Sequence, residues 1–127
     1  MSYKTKTSQE FLTDTESNKK KKISGFFQLN SKKQDLRNLS IKNKTFENFI
    51  IQGADLTGDS FLKCEFNNTI FIDCCLVCTT FSDCLFTKCT IINGQQDYTI
   101  KKSNIGYLSE IKIGDYNMIK KYINRII

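Results

Sequence analysis

The stretch from 34 to 94 reads QDLRNLSIKNKTFENFIIQGADLTGDSFLKCEFNNTIFIDCCLVCTTFSDCLFTKCTIING. Every fifth residue in it is Leu, Ile or Phe: Leu36, Ile41, Phe46, Ile51, Leu56, Phe61, Phe66, Phe71, Leu76, Phe81, Phe86 and Ile91, without a break. A fixed period of this length marks structural units stacked on one another. Five residues match neither the 3.6-residue helical turn nor a long strand alternation. They match a short extended piece followed by a corner. The position two before each centre is mostly small from Ala54 on, continuing through Cys64, Thr69, Cys74, Thr79, Cys84 and Cys89. Two places after the centre come turn formers, Asn38, Asn43, Asn48, Gly53, Gly58, Asn68, Asp73, Asp83 and Asn93. Asn, Asp and Gly tolerate the left-handed backbone that a tight corner needs.

Segments such as Ala54-Asp55-Leu56-Thr57-Gly58 resemble the A-D/N-L-x-x unit of pentapeptide-repeat proteins. That resemblance covers residues 34–94, and it implies a right-handed quadrilateral β-helix with four pentapeptides to a coil. The expected fold class is therefore an all-β solenoid of about three coils, with a C-terminal amphipathic α-helix as a cap. Twenty residues per coil place Leu36, Leu56 and Leu76 in one column, and Ile41, Phe61 and Phe81 in the next. Phe46, Phe66 and Phe86 form an aromatic ladder, and Ile51, Phe71 and Ile91 complete the square. Gln34, Leu39, Lys44 and Phe49 depart from the small position, which predicts a distorted first coil. Asp59 departs again and is expected as a strain point, since a buried carboxylate needs a partner.

The flanks divide accordingly. Residues 1–22 read as a disordered basic arm, poor in apolar side chains. Residues 23–33, with Phe26, Phe27 and Leu29, read as an N-terminal cap, and 95–127 as a C-terminal cap and helix segment. Within the latter, Asp115–Ile127 is expected to be helical, with Asp115 as N-cap. Met118, Ile119, Tyr122, Ile123 and Ile126 fall on one face of it, a helix-packing or dimer face.

The chain carries a formal charge of +6, unevenly spread. Residues 1–33 hold +5, residues 34–94 hold −2 and residues 95–127 hold +3. The run Lys19, Lys20, Lys21 and Lys22 is a candidate phosphate-binding arm, with a solvated tail as its bland counterpart. No apolar stretch is long enough to span a membrane, and no signal-peptide pattern opens the chain. The Lys-, Asn- and Ile-rich composition, without Pro, resembles that of a phage or an AT-rich bacterium.

All six cysteines lie between 64 and 89, and Cys64, Cys74, Cys84 and Cys89 take the inward small position as small hydrophobes. They fit a reducing cytoplasm, the host's if the chain is viral. Cys75-x-x-Cys78 is a lone pair, so neither a metal nor another cofactor is expected. The chain has no His, which excludes imidazole acid–base chemistry and His-containing triads. Asp35 and Asp55, one coil apart on an outer face, are as well explained by solvation as by pairing. A convex solenoid with a filled core is expected to offer no cleft, and the chain is not expected to be an enzyme.

The outward positions flanking Ile51, Phe71 and Ile91 are unlike the rest. Ile50, Ile70, Ile72 and Ile92 make a small apolar wall, a candidate interaction face. Its cover is open at this level: the chain's own C-terminal segment through Ile100, Ile105, Tyr107 and Leu108, a second subunit, or a foreign partner. The function expected first is a non-catalytic module that binds a protein partner, as an inhibitor or regulator. Some members of the resembled family mimic DNA, so inhibition or protection of a DNA-processing enzyme such as a topoisomerase, including a phage anti-defence role, is the alternative the resemblance implies. Nucleic-acid binding through the basic arms is the third reading, and a homodimer is compatible with each.

Overall fold

The computed structural model describes residues 7–28 and 34–126. Residues 1–6, 29–33 and 127, and with them Leu29, lie outside the described residues. The middle of the chain winds into a β-solenoid of about four turns whose paired strands are parallel. A helix, α1 (Ser8–Glu16), comes first, and strand β1 (Lys22–Gln28) makes a partial turn. The first full turn carries β2 (Gln34–Asp35), β3 (Ser40–Lys42) and β4 (Thr45–Gln52). The second carries β5 (Ala54–Asp55), β6 (Ser60–Leu62) and β7 (Glu65–Ile72). The third carries β8 (Thr80–Ser82), β9 (Leu85–Thr87) and β10 (Cys89–Ile92). The fourth carries β11 (Thr99–Lys101), β12 (Asn104–Ile105) and β13 (Leu108–Ile111), and helix α2 (Tyr116–Ile126) ends the described chain.

The register is the expected twenty residues: Ile41 pairs Phe61 and Phe61 pairs Phe81, while Phe46, Phe66 and Phe86 align in turn. All twelve centres are buried. The ladder is stacked ring on ring, Phe46–Phe66 at 4.9 Å and Phe66–Phe86 at 5.1 Å, with interplanar angles of 4° and 7°. The strand spacing of parallel sheets, about 4.8 Å, sets that ring separation. At the turn position the backbone takes positive φ at every fifth residue from Asn38 to Asn93, including Lys63, Cys78 and Lys88, so each turn has four corners. Asn68 donates its side-chain amide to Asn48 Oδ1 at 2.8 Å, tying one corner to the corresponding corner a turn earlier.

The small inward residue has a second task. Its Sγ or Oγ1 donates to the carbonyl of the centre that precedes the aligned unit one turn earlier, as in Cys74 to Ile51, Thr79 to Leu56, Cys84 to Phe61 and Cys89 to Phe66. These side chains therefore lean toward the N-terminal end. In the first turn the same direction leads to the cap, and that is why the position is large there. Phe49 meets the rings of Phe27 at 5.3 Å and Phe11 at 6.2 Å. Lys44 Nζ reaches the carbonyls of Ser17 and Lys20. The expected distortion of the first coil is thus a cap interface. Asp59 is fully buried, and its Oδ1 accepts from the Leu39 N–H at 2.8 Å, a backbone partner that compensates part of its burial.

Three expectations need correction. The disordered arm holds α1, begun by a capping box in which Thr7 Oγ1 accepts the Glu10 N–H and Glu10 Oε1 accepts the Thr7 N–H. Phe11 on α1 is 1% exposed and packs edge-on against Phe27 at 5.2 Å. Second, the solenoid does not stop at 94. A one-residue deletion after Asp97 shifts the register to nineteen, so Ile100 pairs Phe81 and Ile105 pairs Phe86. The fourth turn escaped the fivefold count because its phase moves there. Third, α2 does not cap an end. It lies on a side wall, while α1 covers the N-terminal end. Replacing Phe11 by Ala is expected to cost about 3 kcal/mol in urea unfolding and to expose the β1 amides to hydrogen exchange. An unchanged midpoint would show that α1 does not cap the core.

Candidate interaction surfaces

Helix α2 follows from local signals. The Asp115 carboxylate accepts the Asn117 N–H at 2.9 Å, so it is the N-cap the sequence indicated. Ile119, Tyr122, Ile123 and Ile126 fall at helical spacing and pack on Ile50, Ile70, Ile72 and Ile92, all four fully buried. The isoleucine wall, a candidate interaction face in the sequence, is a second internal core. Its cover is the chain's own C-terminal segment, but through α2 and not through Ile100, Ile105, Tyr107 and Leu108. Met118 is 44% exposed and lies off the packed face. Arg125 closes the contact by donating to Thr90 Oγ1 at 3.3 Å. Tyr116 donates its hydroxyl to Asp73 Oδ2 at 3.0 Å, which raises the phenol's pKa.

The two ends of the solenoid differ. At the N-terminal end Phe11 closes the columns. At the C-terminal end β11, β12 and β13 each have a strand partner on one side only among the described residues. Gln96 and Glu110 stand where the other turns carry large apolar side chains. Ile105 and Tyr107 are half exposed, 50% and 51%. Tyr98 Oη donates to the Glu110 carboxylate beside them, and burial together with this contact raises the phenol's pKa. An edge of unpaired strand with exposed apolar side chains is a template for a further strand.

The lysine run is divided by the fold. Lys20 pairs with Asp14 at 3.3 Å and Lys22 with Glu47 at 2.7 Å. Lys19 and Lys21 are exposed and make no ion pair among the described residues. The backbone around them is anchored by Lys44, itself 6% exposed.

The cysteines are all free. Burial pushes the Cys74 thiol up to about 12 and the Cys89 thiol up to about 11. A hydrogen bond with Cys84, together with burial, raises Cys64. Such thiols stay protonated at neutral pH and are poor nucleophiles. Cys75 Sγ donates to Gln95 Oε1 at 3.1 Å and lies 3.1 Å from Thr57 Oγ1. No group of three or more metal-binding side chains comes together among the described residues. Asp35 and Asp55 align in the β2–β5 register, and the Asp55 carboxylate accepts the Thr57 hydroxyl at 2.5 Å. A convex solenoid is expected to offer no cleft, yet its surface has concavities. Shallow clefts lie at the corners, one of about 530 Å³ lined by Asn18, Lys21, Lys42, Asn43 and Lys44. No helix among the described residues is long and apolar enough to cross a membrane.

No protein-family model matches this chain, and no curated protein matches it in sequence.

Proposed function

We propose that this chain is a non-catalytic interaction module of the pentapeptide-repeat type. It engages a protein partner through its open C-terminal turn and acts as an inhibitor or regulator of that partner. The observation that carries this reading is the asymmetry of the ends. One end is sealed by Phe11, and the other leaves Ile105 and Tyr107 half exposed beside a strand edge that is unpaired among the described residues. Strand addition at such an edge takes its affinity from main-chain hydrogen bonds and its specificity from alternate side chains. The large inward residue every five, the small residue before it and the corner after it support the family reading. Six free thiols fit a reducing cytoplasm.

The test compares the wild-type chain with an Ile105→Lys/Tyr107→Lys variant in capture from cells of the source organism. Both sites are half exposed, so the variant is expected to keep its thermal midpoint within a degree or two, as surface changes cost about 0.5 kcal/mol or less. A protein retained by the wild type and lost with the variant supports the reading, and light scattering reports whether that partner is a second copy. Equal capture by both forms, or none by either, contradicts it.

A further inference from the structure

One corner of the solenoid gathers positive charge from distant parts of the chain. Lys42, Leu62, Ser82 and Lys101 stand in register up the wall formed by β3, β6, β8 and β11. Next to them, at the corner itself, come Asn43, Lys63, Asp83 and Lys102, joined to the first column by backbone hydrogen bonds from Asn43 to Leu62, Lys63 to Ser82 and Asp83 to Lys101. Lys21 lies at the foot of the column. These five lysines are exposed and make no ion pair among the described residues. Asp83 and Glu65 are the acids within the stripe, which leaves it positive. The corner formed by Gly53, Asp73 and Asn93 is acidic by contrast, with Asp55 beside it.

At the foot is the cleft of about 530 Å³ lined by Asn18, Lys21, Lys42, Asn43 and Lys44. Lys44 is the unusual member, since its ammonium is held within the fold by the Ser17 and Lys20 carbonyls. An ammonium has three N–H donors, and two are used there. A phosphate oxygen in the cleft is a natural acceptor for the third.

We propose that this corner is a binding site for the phosphate backbone of duplex nucleic acid, with one phosphate seated in the Lys44 cleft and its neighbours along Lys42, Lys63, Lys101 and Lys102. Three coil steps of about 4.8 Å make a stripe of roughly 14 Å, which spans about four phosphates of one strand at 3.4 Å of axis each. The stripe carries no aromatic side chain on which bases stack, which favours duplex over single strands and backbone contact over base readout. The stripe reaches the open turn at Lys101 and Lys102, but the residues that test the two proposals are different.

The test is fluorescence anisotropy of the full chain with a labelled duplex of roughly 20 base pairs at about 50 mM and about 200 mM salt. About four neutralised phosphates predict a roughly 100-fold loss of affinity between those salts. The variant Lys42→Glu/Lys63→Glu/Lys101→Glu/Lys102→Glu is expected to bind at least about 30-fold more weakly, with a flatter salt dependence. A charge-matched variant, Lys88→Glu/Lys112→Glu/Lys120→Glu/Lys121→Glu, changes exposed lysines on other faces and is expected to stay within about threefold of the wild type. Thermal midpoints of both variants check that each is folded. No binding by the wild type at the lower salt overturns the proposal, as does an equal loss in both variants or an unaffected corner variant. Tighter binding to a single strand than to the duplex overturns the choice of partner.

Discussion

Phe66→Ala is expected to lower the free energy of unfolding by about 3–5 kcal/mol. Phe66 is the middle rung of the aromatic ladder. Its ring stacks on Phe46 at 4.9 Å and on Phe86 at 5.1 Å, and its edges meet Phe61 at 5.4 Å and Phe81 at 5.5 Å. Truncation removes contacts with the turn below and the turn above together. In a solenoid each unit is held by its immediate neighbours, so a cavity in a middle turn weakens both interfaces. Neighbouring turns have little freedom to collapse into the space, because hydrogen bonds between the strands fix their separation. Ile105→Ala, at the open end of the same column, removes a side chain already 50% exposed and is expected to cost under about 1 kcal/mol. Urea unfolding of the two variants measures the contrast. Equal costs at the two rungs would show that the column is not a continuous core.

Ile70→Lys combined with Ile72→Lys is expected to detach α2. Both isoleucines are fully buried against Ile119, Ile126 and their neighbours. Removing the two side chains alone costs at least about 4 kcal/mol, and an ammonium on that wall must be dehydrated or neutralised as well. An isolated helix of α2's length, eleven residues, is marginal in water, so it unfolds once it leaves the wall. The expected readouts are a lower thermal midpoint and a loss of helical ellipticity, while the parallel-strand signal of the solenoid persists. Ser82→Lys, on an outward position of a polar wall, is expected to shift stability by no more than about 0.5 kcal/mol. A double variant with full helicity and an unchanged midpoint would show that α2 is not held by the isoleucines.

These two cores were not equally legible in the sequence. The ladder was, because twelve apolar centres in one phase mark stacked units, and the pentapeptide resemblance implied the four units per coil that align them. The isoleucine wall was visible as an apolar outer face, and α2 as an amphipathic segment with Asp115 at its start. Their mutual contact was not, since a solenoid wall and a helix face have no common period. The fourth turn was hidden by one missing residue after Asp97. Ile100 and Ile105 keep the fivefold spacing but in a new phase, and Gln96 and Glu110 stand at core positions without an apolar side chain. Lys102, two places after Ile100, shares the positive φ of the other corners, which is a trace of the same shift.

The helical part of the N-terminal cap, α1, was hidden by composition. Thr7-Ser8-Gln9-Glu10 followed by Phe11-Leu12 is a capping box before an apolar pair, yet the surrounding polar residues read as a disordered arm. Phe49 and Lys44, which broke the small-residue rule, were signals of that cap. The basic corner was out of reach for a further reason. Lys42, Lys63 and Lys102 are brought together only when the register is known to be twenty residues in one turn and nineteen in the next.

Nuclear Overhauser contacts between backbone protons of stacked turns test the register most directly. Phe81 is expected to show cross-strand contacts to Phe61 on one side and to Ile100 on the other, as parallel neighbours. Sequential helical contacts through residues 40–92, or contacts from Phe81 to strands running antiparallel to it, would contradict the stacked coil.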